Sequence, residues 1–399
     1  MTRATPKKTK TDAFTALNGL RFLAAIAVVC FHYGTKTDGY NQVPETIKKI
    51  VNEGPAAVGF FFILSGFVLG YRYLRHGAHL ENPKAFYWAR FTRLYPAYLV
   101  GFLLFTPLAV QKYLVHPSMA AGGQGTFISS AVLSLLTLQA WTPLAQAWNG
   151  PSWSLSVESF MYVMFPLIGS RLIKLDKPSA LFVACSAWLV PTSLACGHVV
   201  KVIPDYAWEK FMVNSPILWL PLFIIGICST RLLPFWEMMS HRKTNFISTF
   251  CFLGVILLGF VWPRGLIEIF IVGGIAPMLA VLVVSFTRTS GWITAILGGA
   301  IFNKLGQASY IIYIIQSPLW HYWQALTNFI RRVPLETQGA AKLQFLVFVP
   351  FVILVSLAVQ RFIEEPVRSW LNKESILRAS RAALTNSVQT TYASASHSD

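Results

Sequence analysis

Apolar residues in this chain come in long blocks separated by short polar stretches. The first block, Leu17 to Gly34 (LNGLRFLAAIAVVCFHYG), has the length and hydropathy of a membrane-crossing helix. Blocks of similar length follow at about 56–74, 94–115, 153–170, 179–197, 215–230, 245–262, 266–286, 306–326 and 343–363. A shorter apolar segment lies at 126–141, and no internal repeat is found. The pattern predicts an all-α fold: a polytopic membrane helix bundle of about ten transmembrane helices, plus a re-entrant or short helix near 126–141. The expected organisation is a basic cytoplasmic tail (1–15), a membrane domain (16–366) and an amphipathic to disordered cytoplasmic tail (367–399).

Composition supports this class. The chain of 399 residues is 54% hydrophobic and 12% charged, where soluble domains carry about 25% charged residues. A net charge of +17 would suit nucleic acid, but the basic residues sit in short loops between apolar blocks, where topology and anionic lipid account for them. No nucleic-acid partner is expected. With the N-terminus inside and 126–141 not crossing, 22 of the 33 Lys and Arg fall on the cytoplasmic side and 10 outside, Arg21 lying within the membrane. If 126–141 crosses, the balance becomes 15 inside to 17 outside, so the charge bias favours ten spans with both termini cytoplasmic. The basic start followed by an apolar run resembles a signal peptide, but Arg21 inside the run favours an uncleaved first span. The five cysteines lie in or beside apolar segments and read as small buried residues rather than a disulfide framework.

Polar residues inside the apolar blocks carry the candidate chemistry. Arg21 and His32 are eleven residues apart, about three turns, so both project from one helical face roughly 16 Å apart along the axis. Either residue alone would suit a side chain snorkelling to an interface, whereas the shared face suggests a polar track through the bilayer. Glu158 lies less than two turns into the helix opened by Gly150-Pro151-Ser152, at a depth expected to match His32. A carboxylate there costs several kcal/mol unless paired. His32 is its candidate partner, and a histidine oriented by a carboxylate can act as a general base toward a hydroxyl. Arg90 and Arg93, three apart, share a face and form a candidate fork for phosphate that Arg21 approaches. In GFFFILSGFVLG (59–70), Gly59, Ser65, Gly66 and Gly70 read chiefly as close-packing positions. No metal-ligand spacing, Gly-rich phosphate loop or GxSxG motif occurs.

Taken in order, these segments resemble the acyltransferase-3 family of integral-membrane acyltransferases over roughly residues 16–366. Arg21 to His32 resembles that family's Arg-x10-His signature, GFFFILSGF its second-helix motif, and Arg90-Phe-Thr-Arg93 its Arg-x-x-Arg motif. WSLSVE (153–158), LGQASYIIYIIQSP (305–318) and IEEP (363–366) resemble three further segments. Gln316 stands where relatives often carry His, and Glu365 where they often carry Arg. The resemblance implies transfer of an acyl group, commonly acetyl, from cytoplasmic acyl-CoA to a hydroxyl, often of a surface glycan or lipid-linked saccharide, in the cytoplasmic (inner) membrane. On that reading His32 and Glu158 are catalytic and Arg21, Arg90 and Arg93 hold the CoA phosphates. Trp153, Ser154, Ser65, Tyr310 and Gln316 serve substrate binding or packing. Acetyl-CoA is then the donor substrate, and no cofactor is permanently bound. The alternative is a secondary transporter or flippase using Arg21, His32 and Glu158 as a relay, for which the absence of a repeat is unfavourable.

Overall fold

The structure is a computed structural model. It describes residues 14–34, 45–52, 54–74, 80, 82–116, 118, 123–287, 291–331 and 338–373. The basic residues Arg3, Lys7, Lys8 and Lys10 and the segment after Lys373 lie outside the described residues. Among those described, the fold is helical without strands. In chain order the α-helices are α1 (Thr15–Val29), α2 (Glu45–Asn52), α3 (Ala56–Leu69), α4 (Pro83–Val110), α5 (Phe127–Leu135), α6 (Trp153–Leu172), α7 (Lys177–Val199) and α8 (Asp205–Ala207). They continue as α9 (Pro216–Ser229), α10 (Leu233–Met238), α11 (His241–Val261), α12 (Ile267–Ile269), α13 (Ala276–Ser285), α14 (Trp292–Leu297), α15 (Ala300–Arg331) and α16 (Gln338–Val359). The caps follow local rules: Asn82 and Asp176 accept from Ala85 N and Ser179 N, and Pro83 and Pro178 sit in the first turns.

Seven helical segments among the described residues are long and apolar enough to cross a membrane. The sequence pattern predicts about ten, and three of those differ for identifiable reasons. Helix α6 carries Ser154, Ser156, Glu158 and Ser159, and α15 carries Asn303, Lys304, Gln307 and Gln316, which lower their mean hydropathy. The 266–286 block is interrupted at Gly273, leaving α13 as a ten-residue apolar helix, about half the hydrocarbon thickness. The segment near 126–141 holds the nine-residue α5 followed by a 3-10 turn at Gln139–Trp141. At about 1.5 Å per residue α5 cannot span the bilayer.

Two close helix pairs position the interior. Helix α1 packs chiefly on α15, and α3 on α9. In the second pair Gly66 and Gly226 face each other's backbones. A Cβ on Gly66 would fall 2.1 Å from the Phe223 carbonyl oxygen, and one on Gly226 2.1 Å from that of Ile63. In the first pair a Cβ on Gly306 would meet the Asn18 carbonyl oxygen at 2.0 Å. Small residues thus let backbones approach where larger side chains would hold them apart.

On the side where α7 ends, a polar clasp ties elements together. His198, buried, bridges Glu268 through Nδ1 and Asp205 through Nε2 at 3.0 Å, and its ring stacks on Trp208 with centroids 4.8 Å apart. Lys201 donates to Asp205 at 2.6 Å. That hydrogen bond is the main reason the Asp205 carboxyl titrates below its ordinary value.

Two outcomes follow. Gly66→Ala must push α3 off α9 and should cost about 2 kcal/mol or more, read as a lower thermal midpoint of the detergent-solubilised protein. Gly59→Ala, whose Cβ would meet the end of the Leu222 side chain at 3.2 Å and the Ile271 carbonyl oxygen at an ordinary 3.7 Å, should cost far less than Gly66→Ala, because alanine is the better helix former by about 1 kcal/mol and only a side-chain tip has to shift. A depressed carboxyl contributes stability above its unfolded pKa and loses it as pH falls through the folded one. The clasp should therefore hold at neutral pH, and hydrogen exchange at Lys201–Trp208 should accelerate only in strong acid.

Candidate functional site

A cavity of about 470 Å³ lies between α1, α3, α4, α6 and α15. Helical spacing aims one stripe from each helix into it. Helix α1 contributes Leu17, Asn18 and Arg21; α4 contributes Arg90, Arg93 and Leu94; and α6 contributes Ser154, Glu158 and Tyr162, each four residues apart. Helix α3 adds Ser65 with Val58, Phe61 and Phe62, and α15 adds Tyr310 and Tyr313. Among the described residues lining it, Glu158 is the one carboxylate, and Arg21, Arg72, Arg90 and Arg93 are the cations.

Glu158 is the polar centre of this space. Its Oε1 accepts from the Ser65 hydroxyl at 2.9 Å and from the Tyr162 hydroxyl at 2.5 Å. Arg21, half-buried, lies in the electrostatic field of both Glu158 and Arg93. Arg90, only 6% exposed, donates from Nη2 to the Tyr73 hydroxyl at 3.2 Å. Its guanidinium stands 5.6 Å from the Tyr73 ring, 5.8 Å from Tyr162 and 5.9 Å from Phe86, an aromatic enclosure suited to a cation. Its Nε is buried without a hydrogen-bond partner. Deeper in, Ser154 donates to the Tyr313 hydroxyl at 2.8 Å, and Tyr313 donates to the Pro151 carbonyl at 3.0 Å.

The four arginines also line a second, outer space of about 470 Å³, so they form a cationic partition between the two. The outer vestibule is completed by Gln307, Gln360, Glu364, Glu365, Arg368 and Asn372. Glu364 is buried and pairs with Arg368 at 3.6 Å.

The structure brings Arg21, Arg90, Arg93, Glu158, Ser65, Ser154 and Tyr310 to one cavity, as the sequence pattern suggests. It does not bring Glu158 to His32. Residues 30–34 form a π turn, and the wider i→i+5 winding breaks the 100° phase extrapolated from Arg21. The depth differs as well. Gly54 lies against Phe31 and Ala27, which places His32 level with the start of α3, about 15 Å along the axis from Ser65 and hence from Glu158. His32 packs its ring near Phe31 and Tyr33, about a turn beyond the Val58 end of the cavity.

The other residues singled out from the sequence take more definite places. Ser65, read as a packing residue, is a hydrogen-bond donor to Glu158, while its neighbour Gly66 does the packing. Arg90 and Arg93 both line the two spaces, and Arg90 is in addition walled by aromatic rings. Gln316 is fully buried, donating to the Tyr313 carbonyl at 2.9 Å outside the cavity lining, and Trp153 packs on Trp219. Tyr310 lines both spaces and donates to the Leu94 carbonyl at 3.0 Å. Tyr162, Tyr313 and Arg72 were not singled out from sequence. Tyr162 could have been found from its spacing, one turn after Glu158 on the same face.

The chain was compared with known proteins. Residues 14–361 match the family model described as an acyltransferase domain. Acyltransferase MdmB of Streptomyces mycarofaciens is 34% identical over 156 residues, a match spanning 38% of this chain and 38% of that protein. Protein 2 in the picA locus of Rhizobium radiobacter is 29% identical over 210 residues, 46% of this chain and 96% of that protein. No solved structure matches. With the family model covering the cavity and every helix that lines it, the chain belongs to the acyltransferase-3 family.

Proposed function

We propose that this protein is a membrane O-acyltransferase, most simply an O-acetyltransferase, that moves an acyl group from acyl-CoA to a hydroxyl of a surface glycan or lipid-linked saccharide. The observation that carries the reading is one continuous site in which four guanidiniums separate an outer vestibule from an apolar cavity with Glu158 at its centre. Guanidiniums suit the phosphates of CoA, bidentate where two oxygens are presented. The cavity behind them, apolar with spaced hydroxyls, suits the pantetheine arm, whose amides find partners in Ser65, Glu158, Tyr162 and Ser154. An arm threaded this way carries the thioester toward the Val58 end and His32. There His32 removes the proton of the acceptor hydroxyl as its oxygen attacks the thioester carbonyl, and CoA leaves as the thiolate. Both termini then lie in the cytoplasm of a cell with an inner membrane, and the acceptor arrives from the opposite face. A transporter reading is not favoured, given the family.

A second reading makes Glu158 itself the base, because it is the carboxylate among the described cavity residues. Kinetics on the reconstituted enzyme with labelled acetyl-CoA separate the two. His32→Ala should lower kcat by about 10²–10⁴ with KM for the donor nearly unchanged. Glu158→Gln should chiefly raise that KM. A collapse of kcat in Glu158→Gln with full activity in His32→Ala would transfer the base to Glu158. Arg93→Ala should raise the donor KM at least tenfold, from loss of a charged hydrogen bond of about 1.5–3 kcal/mol. Flux of label without covalent product on any acceptor would remove the enzymatic reading altogether.

A further inference from the structure

Behind Tyr71, which it shares with the reaction cavity as a common wall, lies another cavity of about 520 Å³. It is built by the turn at Gly70–Leu74, the link between α6 and α7, and the junction of α9 with α10. The link supplies Lys174 and Lys177, and the junction supplies Arg231; Glu237 is the acidic group in the lining. Leu74, Ile173, Leu233 and Pro234 make its apolar floor. None of these residues has a place in the acyl-transfer chemistry proposed above.

Three features point to an anion. Cations in the lining outnumber carboxylates three to one. The Arg231 Nε is buried without a hydrogen-bond partner, which is costly unless an acceptor reaches it from the cavity. The nearby Asp176 carboxylate accepts from the Ser179 amide at 3.1 Å and also lies in the field of Arg231, so that, even with it counted, three cations face two carboxylates. The surroundings identify the kind of anion. Leu232, Phe235 and Met238, next in sequence to the lining residues Leu233, Pro234 and Glu237, are 38%, 53% and 86% exposed. A soluble phosphate has no use for that apolar apron, whereas a lipid places its headgroup among cations and its chains along such side chains.

We infer that this cleft binds the phosphate of an anionic phospholipid, held by Lys174, Lys177 and Arg231 with its acyl chains lying along Leu232, Phe235 and Met238. The lipid then packs behind Tyr71 and stiffens one wall of the reaction cavity.

Native mass spectrometry of the full chain in detergent tests this with phosphatidylglycerol, phosphatidylcholine and glycerol 3-phosphate as probes. Wild type should retain phosphatidylglycerol in preference to phosphatidylcholine. Lys177→Gln and Arg231→Gln should each weaken that retention about fivefold, the effect of one cation at a membrane surface. Lys177 is exposed, so its variant folds even if that of Arg231 does not. Retention equal to wild type in Lys177→Gln would overturn the inference. So would displacement of the lipid by an equal concentration of glycerol 3-phosphate, which would make the ligand a soluble phosphate.

Discussion

The arrangement of this molecule depends on compensating charge where water is scarce. A carboxylate or a guanidinium held alone among membrane helices costs several kcal/mol. Here Glu158 receives two hydroxyl hydrogen bonds and faces Arg21, while Arg90 is received by the Tyr73 hydroxyl and three aromatic rings. Four helices, α1, α3, α4 and α6, must come together to make those contacts, so the polar cluster selects one packing of otherwise interchangeable apolar rods. The close approach of α3 to α9 at Gly66 and Gly226 lets Ser65 reach Glu158 from the next position along the helix.

Charge and shape divide the site into three zones. The vestibule is polar and contains both signs of charge, the partition is cationic, and the chamber behind it is aromatic and aliphatic with isolated hydroxyls. This gradient suits a ligand with a highly charged head and an uncharged arm. His32 stands beyond the last zone, so any chemistry it performs must be delivered to it by the far end of such a ligand.

Much of this was legible in the sequence. Seven of the ten apolar blocks correspond to helices long and apolar enough to cross a membrane among the described residues, and the family resemblance on six ordered motifs gave the class of the protein. The shared face of Arg90 and Arg93 gave one wall of the cavity. What failed was extrapolation across irregular backbone. The α-helical phase carried from Arg21 to His32 ignores the π turn at Cys30–Gly34, and depth counted along α6 does not register that Gly54, ahead of α3, lies against Phe31. The break at Gly273 was hidden in a run of uniform hydropathy for the same reason. Aromatic partners such as Tyr73 and Tyr162 were not found because a tyrosine in an apolar block reads equally well as packing or as interface anchor.

The vestibule is walled at once by Arg21 on the first helix and by Glu364, Arg368 and Asn372, more than 340 positions later on the last described one. In a protein threaded into the bilayer from its N-terminus, the cavity arginines and Glu158 are in place early, but the vestibule's own carboxylates, Glu364 and Glu365, arrive only with the final helix. A nascent or truncated chain would therefore hold an unbalanced cationic patch in place of a formed binding site. Completion of the last helix thus brings the vestibule's own countercharge into place.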